Sequence, residues 1–264
     1  MVTQKQTTRK KGTQKKTAPK KSAQAGRRTK QAMQAPAPQT EAAPVAVAPA
    51  AQIIPSTEKS LALWYVKLRK VIGVLGTVLP FAVSLGALII FNEPQQSSIS
   101  AYYHTHMRDV FVGTLFAIGF FLYSYEYGRP DGIAAKIAFA SALGVALFPT
   151  DPGRDTTFIG TLHLIFAASF FLTLSYFCLF LFTKTHASGY PPMTVRKTQR
   201  NNIYKVCGYV MIGCILLMGI YNLLGEAGSR LEAFHPIYWL EAIAIVAFGI
   251  SWLTKGEAIL KDES

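Results

Sequence analysis

Apolar residues run almost unbroken through six stretches, at roughly 71–92, 107–127, 134–150, 158–182, 203–224 and 237–254. A hydrocarbon core about 30 Å thick needs about 20 helical residues, within a range of about 17–25. Strands of a membrane barrel would instead need alternating segments of about ten residues. The pattern therefore predicts an all-α fold, a bundle of six transmembrane helices. The third stretch is the shortest. Turn signals bound it on both sides, Gly128-Arg129-Pro130-Asp131-Gly132 before and Pro149-Thr150-Asp151-Pro152-Gly153 after. Small residues at Gly73, Gly76, Ala140, Gly144, Gly208 and Gly213 predict close helix contacts. Pro80 is the only proline well inside a stretch.

Ahead of the first stretch the pattern changes twice. Between residues 57 and 70, Leu61, Leu63, Trp64, Val66 and Leu68 interleave with Lys59, Lys67, Arg69 and Lys70. This predicts an interfacial amphipathic helix over 57–70, with Ser56 or Thr57 as N-cap. Trp64 and Tyr65 suit the headgroup layer. Residues 1–56, Lys-rich and then Ala/Pro-rich, cannot bury a core and are expected to be a disordered cytoplasmic tail.

Charge separates tail from body. The formal net charge is +13, and eleven of the 27 Lys and Arg lie in residues 1–30, which contain no acid. The rest of the chain sets 16 bases against 14 acids. The tail is expected to contact anionic lipid headgroups, each Lys near the surface contributing about 1 kcal/mol. Nucleic acid is the less expected partner, because the tail has no aromatic residue for base stacking. The first 50 residues lack the apolar core of a secretory signal. Cys178, Cys207 and Cys214 all lie in apolar stretches and read as small buried hydrophobes.

Positive charge also orients the bundle. The tail, the link with Arg129 and Lys136, and the link with Lys184, Arg196, Lys197, Arg200 and Lys205 form one side. The positive-inside rule puts that side and both termini in the cytoplasm of a multi-pass protein of the cell inner (plasma) membrane. His104, His106, Arg108, Asp109, Asp151, Arg154, Asp155, Glu226, Glu232 and His235 then fall on the outer side. His163 lies about 7 Å inside the fourth stretch, and Glu241 at a similar depth in the sixth. Only His186 among the histidines faces inward. Glu126, among Tyr123, Tyr125 and Tyr127, reads as part of an interface belt.

Ionisable residues within a span are functional candidates by default, and His163 and Glu241 qualify. Each could equally fix packing through an interhelical hydrogen bond. Ser100 and His104 are four apart and share a helix face, whereas Asp109 is about 140° from His104. A metal would need donors from further helices, such as His163 or His235. The chain has no phosphate-loop, HExxH or GxSxG motif.

Ser98-Ile-Ser-Ala-Tyr-Tyr-His-Thr105, with Met107-Arg-Asp-Val-Phe-Val-Gly113 after it, resembles a signature of bacterial polytopic integral membrane proteins of uncharacterised activity. The resemblance extends over about residues 65–255, through Ala146–Thr150, His163 with Phe170-Phe171, and Arg200–Gly208. Ser100-Ala-Tyr-Tyr-His104 is also similar, more distantly, to the Ser-x-x-x-His motif of the CREST superfamily. That group includes the alkaline ceramidases and the progestin/adiponectin-type receptors, and its hydrolases hold zinc in a seven-helix fold. The likeness implies a zinc ligand at His104 and a supporting Ser100. Leu115 stands where that superfamily has its aspartate, and His235-Pro-Ile-Tyr-Trp239 holds half of its terminal His-x-x-x-His.

Three functions are open at this point. The first is a non-catalytic bundle that interacts with lipid or organises a complex. The second is a zinc-dependent hydrolase of a lipid amide or ester at the outer face. There His104, His163 and His235 hold zinc, Asp109 or Glu241 is the general base, and Ser100 supports. The third is a proton-coupled transporter relaying through His163 and Glu241.

Overall fold

The computed structural model describes residues 53–125, 129–153, 157–184, 194–224 and 230–260, with side chains from Ser60 onward. The expectations for residues 1–52, Glu126, Arg154, Asp155, His186 and Glu226 lie outside the described residues. Within them the fold is all-α, with no strand. Six long helices follow in order: α1 (Ile53–Phe91), α2 (Arg108–Tyr123), α3 (Arg129–Leu147), α4 (Phe158–Tyr176), α5 (Val195–Leu223) and α6 (Pro236–Lys255). A π-helical turn, Phe177–Leu181, continues α4. The segments Ser60–Phe91, Arg129–Leu147, Phe158–Leu181, Val195–Leu223 and Glu232–Lys255 are long and apolar enough to cross a membrane. The chain is a multi-pass membrane protein.

Two boundaries differ from the sequence pattern. The expected interfacial helix 57–70 and first span are one unbroken helix of 39 residues, about 58 Å long. Nothing between Lys67 and Val71 stops it: no proline or glycine intervenes, and Arg69 is buried against Tyr125. Conversely, α2 has only 16 residues, about 24 Å, and falls short of a full span. The expected stretch 107–127 ends early as a helix, at Tyr123, and Ser100 and His104, expected on one helix face, lie instead in a separate 3-10 turn, Ser100–His104. The expected turn before α3 is instead its first turn. Pro130 fits there because an N–H at that position has no helical partner to lose. Thr157 and Thr194 cap α4 and α5, their hydroxyls accepting from Gly160 N at 3.1 Å and Lys197 N at 3.2 Å.

The helices close into a ring, with neighbours α1–α2, α2–α3, α3–α4, α4–α5, α5–α6 and α6–α1. The tightest seam joins α1 to α6. A Cβ on Gly249 would stand 2.6 Å from Thr77 N and 2.8 Å from Gly73 O, so only hydrogen fits between these backbones. Gly76 admits the Phe248 ring, Gly144 the Phe166 ring, and Gly208 the Leu179 side chain. Gly213 faces open space. The interior holds Ile118, Leu122, Phe170, Leu174, Phe177, Met211, Phe248 and Trp252. A hydroxyl pair, Ser141 and Ser169 at 2.8 Å, ties α3 to α4. A cluster of aromatic rings, Tyr125, Phe182, Tyr204 and Trp252, lies toward the end bearing Arg69, Arg200 and Lys255, the basic end. The opposite, histidine end carries the polar candidates.

Candidate functional site

The site grows from the link after α1. Asn92 takes a left-handed conformation (φ 53°), which a short polar side chain tolerates better than most. Glu93 N then donates to Ala87 O at 3.0 Å, closing the helix end. Ser98 Oγ accepts the Ala101 N–H at 2.9 Å and starts the 3-10 turn. Ile99 and Tyr102 anchor the turn inside the bundle. The Gln96 N–H donates to the Tyr102 hydroxyl at 3.4 Å. Burial pushes that phenol above its ordinary pKa.

Helix α6 receives this link. His235 is left-handed (φ 49°) and Pro236 opens the helix. Tyr238 N, one of the four donors a helix start leaves unpaired, donates to Ser97 O at 3.0 Å. One turn on, the Glu241 carboxylate reaches back to the turn. Its Oε2 accepts the N–H of Ile99 at 2.6 Å and of Ser100 at 3.2 Å. Its Oε1 accepts the Ser100 hydroxyl at 3.3 Å. An acid in the bundle is thus matched to three donors, two of them backbone groups with no helical partner. Ser100 and Glu241 are also the polar lining of a narrow cavity of about 30 Å³. Leu79, Phe111, Leu115 and Phe248 form part of its apolar wall. That volume suits about one water.

Two histidines grip the link between α3 and α4. His163, 2% exposed, donates from Nδ1 to Phe148 O at 2.7 Å. His104 donates from Nε2 to Thr150 O at 2.7 Å. A carbonyl only accepts, so each contact fixes which nitrogen carries the proton. Asp151 closes the same link, accepting the Thr157 N–H at 2.9 Å and its hydroxyl at 2.7 Å. Those two hydrogen bonds, with His163 and His104 nearby, hold the Asp151 carboxyl below the ordinary aspartate range. A side chain at Gly160 would overlap the Asp151 carboxylate.

The remaining candidates stand apart. His106 pairs through Nδ1 with Glu93 Oε1 at 2.7 Å and stacks on Phe91. Asp109 is exposed in the first turn of α2, where a carboxylate favours the helix dipole. It meets neither Ser100 nor Glu241 in a hydrogen bond. His235 caps α6 half-buried, its Nδ1 without a hydrogen-bond partner. Among the described residues no three His, Cys, Asp or Glu side chains gather so as to hold a metal ion. The zinc set of His104, His163 and His235 is therefore not assembled. Two of its members are turned to the carbonyls of Thr150 and Phe148, and the third sits at the start of a different helix.

The structure brings together Ser100 with Glu241, and His104 with His163 around one link. Sequence reasoning passed over Ser98, Tyr102, Asp151 as a carboxylate acceptor, and Thr157. For Asp151 a signal existed, since Asp-x5-Thr before an apolar run fits a link closed onto a helix N-cap. Tyr102 gave none, because burial in a link cannot be read from its neighbours. Comparison with protein-family models, with curated proteins and with solved structures finds no match to this chain.

Proposed function

We propose that this chain is a non-catalytic, lipid-binding protein of the plasma membrane, with both termini in the cytoplasm. The observation that carries the lipid reading is an apolar groove of about 350 Å³ where α1, α5 and α6 meet. Pro80 and Phe81, Val206 and Val210, and Trp239 and Ile250 are among the residues that line it. Along α6 it extends from Tyr238 to Ile250, about 18 Å. Its volume falls in the range of about 300–1,000 Å³ common to ligand pockets. A single acyl chain suits such a slot, and Trp239 at its upper end suits the headgroup boundary.

The polar end supports the non-catalytic half. Glu241, His104 and His163 face backbone groups of the chain's own links, so their hydrogen-bonding capacity serves the fold. Native mass spectrometry of the detergent-purified protein tests the reading. Retained phospholipid on the full chain, lost in a groove-filling Val246→Trp variant that still folds, is the expected result. Equal retention in both forms would remove the groove as a lipid site.

Proton-coupled transport has one observation in its favour, the narrow cavity between Ser100 and Glu241. Uptake or proton release in vesicles that depends on a pH gradient and on Glu241 would favour it over the lipid reading.

A further inference from the structure

Helices α1 and α2 are level at the basic end and unequal at the other. At the basic end the Arg69 guanidinium donates to the Tyr125 hydroxyl at 3.4 Å. At the histidine end a Cβ on Gly86 would overlap the Met107 side chain, so α2 begins opposite Gly86. From there α1 runs on to Phe91, about 8 Å more. Helix α3 stops lower still. Gly119 of α2 packs against Phe139, Ala142 and Leu143, and α3 ends one turn later, at Leu147. That end is one to two turns inside the start of α2.

The exposed side chains follow the same slope. On α1 every fully exposed residue from Val71 to Phe91 is apolar, a band about 30 Å tall. On α2 the exposed apolar band runs only from Val110 to Tyr123, about 20 Å. Arg108 and Asp109, both exposed, close it at the histidine end. On α3 the band is bounded by exposed Lys136 and ends with Leu147. A hydrocarbon core of about 30 Å therefore fits α1 and is about 10 Å too thick for α2. Arg108 is long enough to reach away, and its guanidinium meets the Tyr103 hydroxyl at 2.7 Å. Asp109 has a single methylene and cannot. A carboxylate left in hydrocarbon is costly, whereas a bilayer thins locally at modest cost.

We propose that the α2–α3 side of the bundle docks a thinned patch of bilayer, whose phospholipid headgroups come down to Asp109 at the histidine end. Both rims of the short band carry charge, Arg108 and Asp109 at one and Lys136 at the other. A zwitterionic headgroup offers each of them its opposite. A second membrane helix on this face would set apolar side chains against Asp109, so lipid is the better occupant. The surface lies away from the acyl groove, which α1, α5 and α6 form, and does not depend on it.

The test compares two cysteine variants of the full chain, Val110→Cys on α2 and Leu85→Cys on α1. Both positions are exposed, at 39% and 52%. The pairing of Met107 with Gly86 puts Val110 slightly deeper than Leu85, so a flat bilayer makes Val110→Cys the slower to react. The protein is held in phosphatidylcholine nanodiscs, which leave both faces open to a charged, membrane-impermeant maleimide. Cys178, Cys207 and Cys214 are buried, and the wild type supplies the blank. Thinning reverses the order: Val110→Cys should react about tenfold faster, because a thiol in hydrocarbon does not form the reactive thiolate. Adding Asp109→Leu to Val110→Cys lengthens the apolar band and should slow its labelling toward the Leu85→Cys rate. Equal rates for the two single variants, or a faster Leu85→Cys, overturn the proposal whether or not the Asp109→Leu form folds. Fast labelling that Asp109→Leu leaves unchanged in a folded protein overturns it too, since Asp109 would not set the depth.

Discussion

Glu241 on α6 and Ile99 in the first link meet at 2.6 Å, carboxylate to backbone N–H, across 142 residues of sequence. This contact decides how the histidine end is closed. The link could not stay inside the bundle with its N–H groups unmet, because neither lipid nor apolar core would satisfy them. Glu241→Ala should cost about 1–3 kcal/mol, the penalty of leaving such groups unpaired. Glu241→Gln keeps one acceptor oxygen and should cost less. Thermal unfolding of both variants in one detergent checks the order, and equal losses would contradict it.

His163 and His104 hold neighbouring carbonyls of one link, Phe148 and Thr150. His163→Ala should be the more damaging change, because it also leaves a void beneath the link. A loss of about 1–2 kcal/mol is expected for it, and less for exposed His104→Ala. Hydrogen exchange should show both substitutions freeing amides between residues 148 and 151 before the helices themselves.

Asp151 gives a pH dependence with a definite sign. Its folded pKa lies below the ordinary aspartate value. Its contribution is therefore fully present above that ordinary value, about 3.9, and fades as the pH falls through it toward the lower folded value. Neutral and mildly acidic solutions should leave it intact. Thr157→Ala, which removes the hydroxyl donor, should bring the Asp151 titration back toward the ordinary value. Carboxyl resonances followed by NMR against pH report this directly.

The α1–α6 seam should be intolerant of side chains. Gly249→Leu would drive a branched chain into Thr77 and the Gly73 carbonyl, where overpacking costs about 1–3 kcal/mol or more. Gly213→Leu, at a position open to the surroundings, should be close to neutral. A matched pair of unfolding curves separates the two.

Hydropathy alone located all six helices, because a run of about 20 apolar residues has few other uses. It misplaced two ends for physical reasons. The charges of Lys67, Arg69 and Lys70 read as a membrane boundary, yet Arg69 is buried with its guanidinium 5.3 Å over the Tyr125 ring, and the helix continues through them. The second stretch starts within one residue of α2 but ends past it, at 127 against Tyr123, and Ser100 and His104, expected on one helix face, form a separate 3-10 turn that Ser98 starts. The depth of Glu241 was legible from its span, but not its partner, as nothing local ties it to a link 142 residues away. The four described histidines, His104, His106, His163 and His235, lie at one end as the sequence suggested. The attachment of His104 and His163 to carbonyls follows from the fold of the α3–α4 link, which carries no sequence signal of its own.

The central claim is that the polar residues of the histidine end act on the fold and not on a bound metal. The most direct measurement is the metal content of the full chain purified in detergent, beside a His104→Ala/His163→Ala variant. The account predicts no stoichiometric metal in either and a lower unfolding temperature in the variant. About one zinc per chain in the wild type, as a catalytic site would hold, lost in the variant, would contradict it.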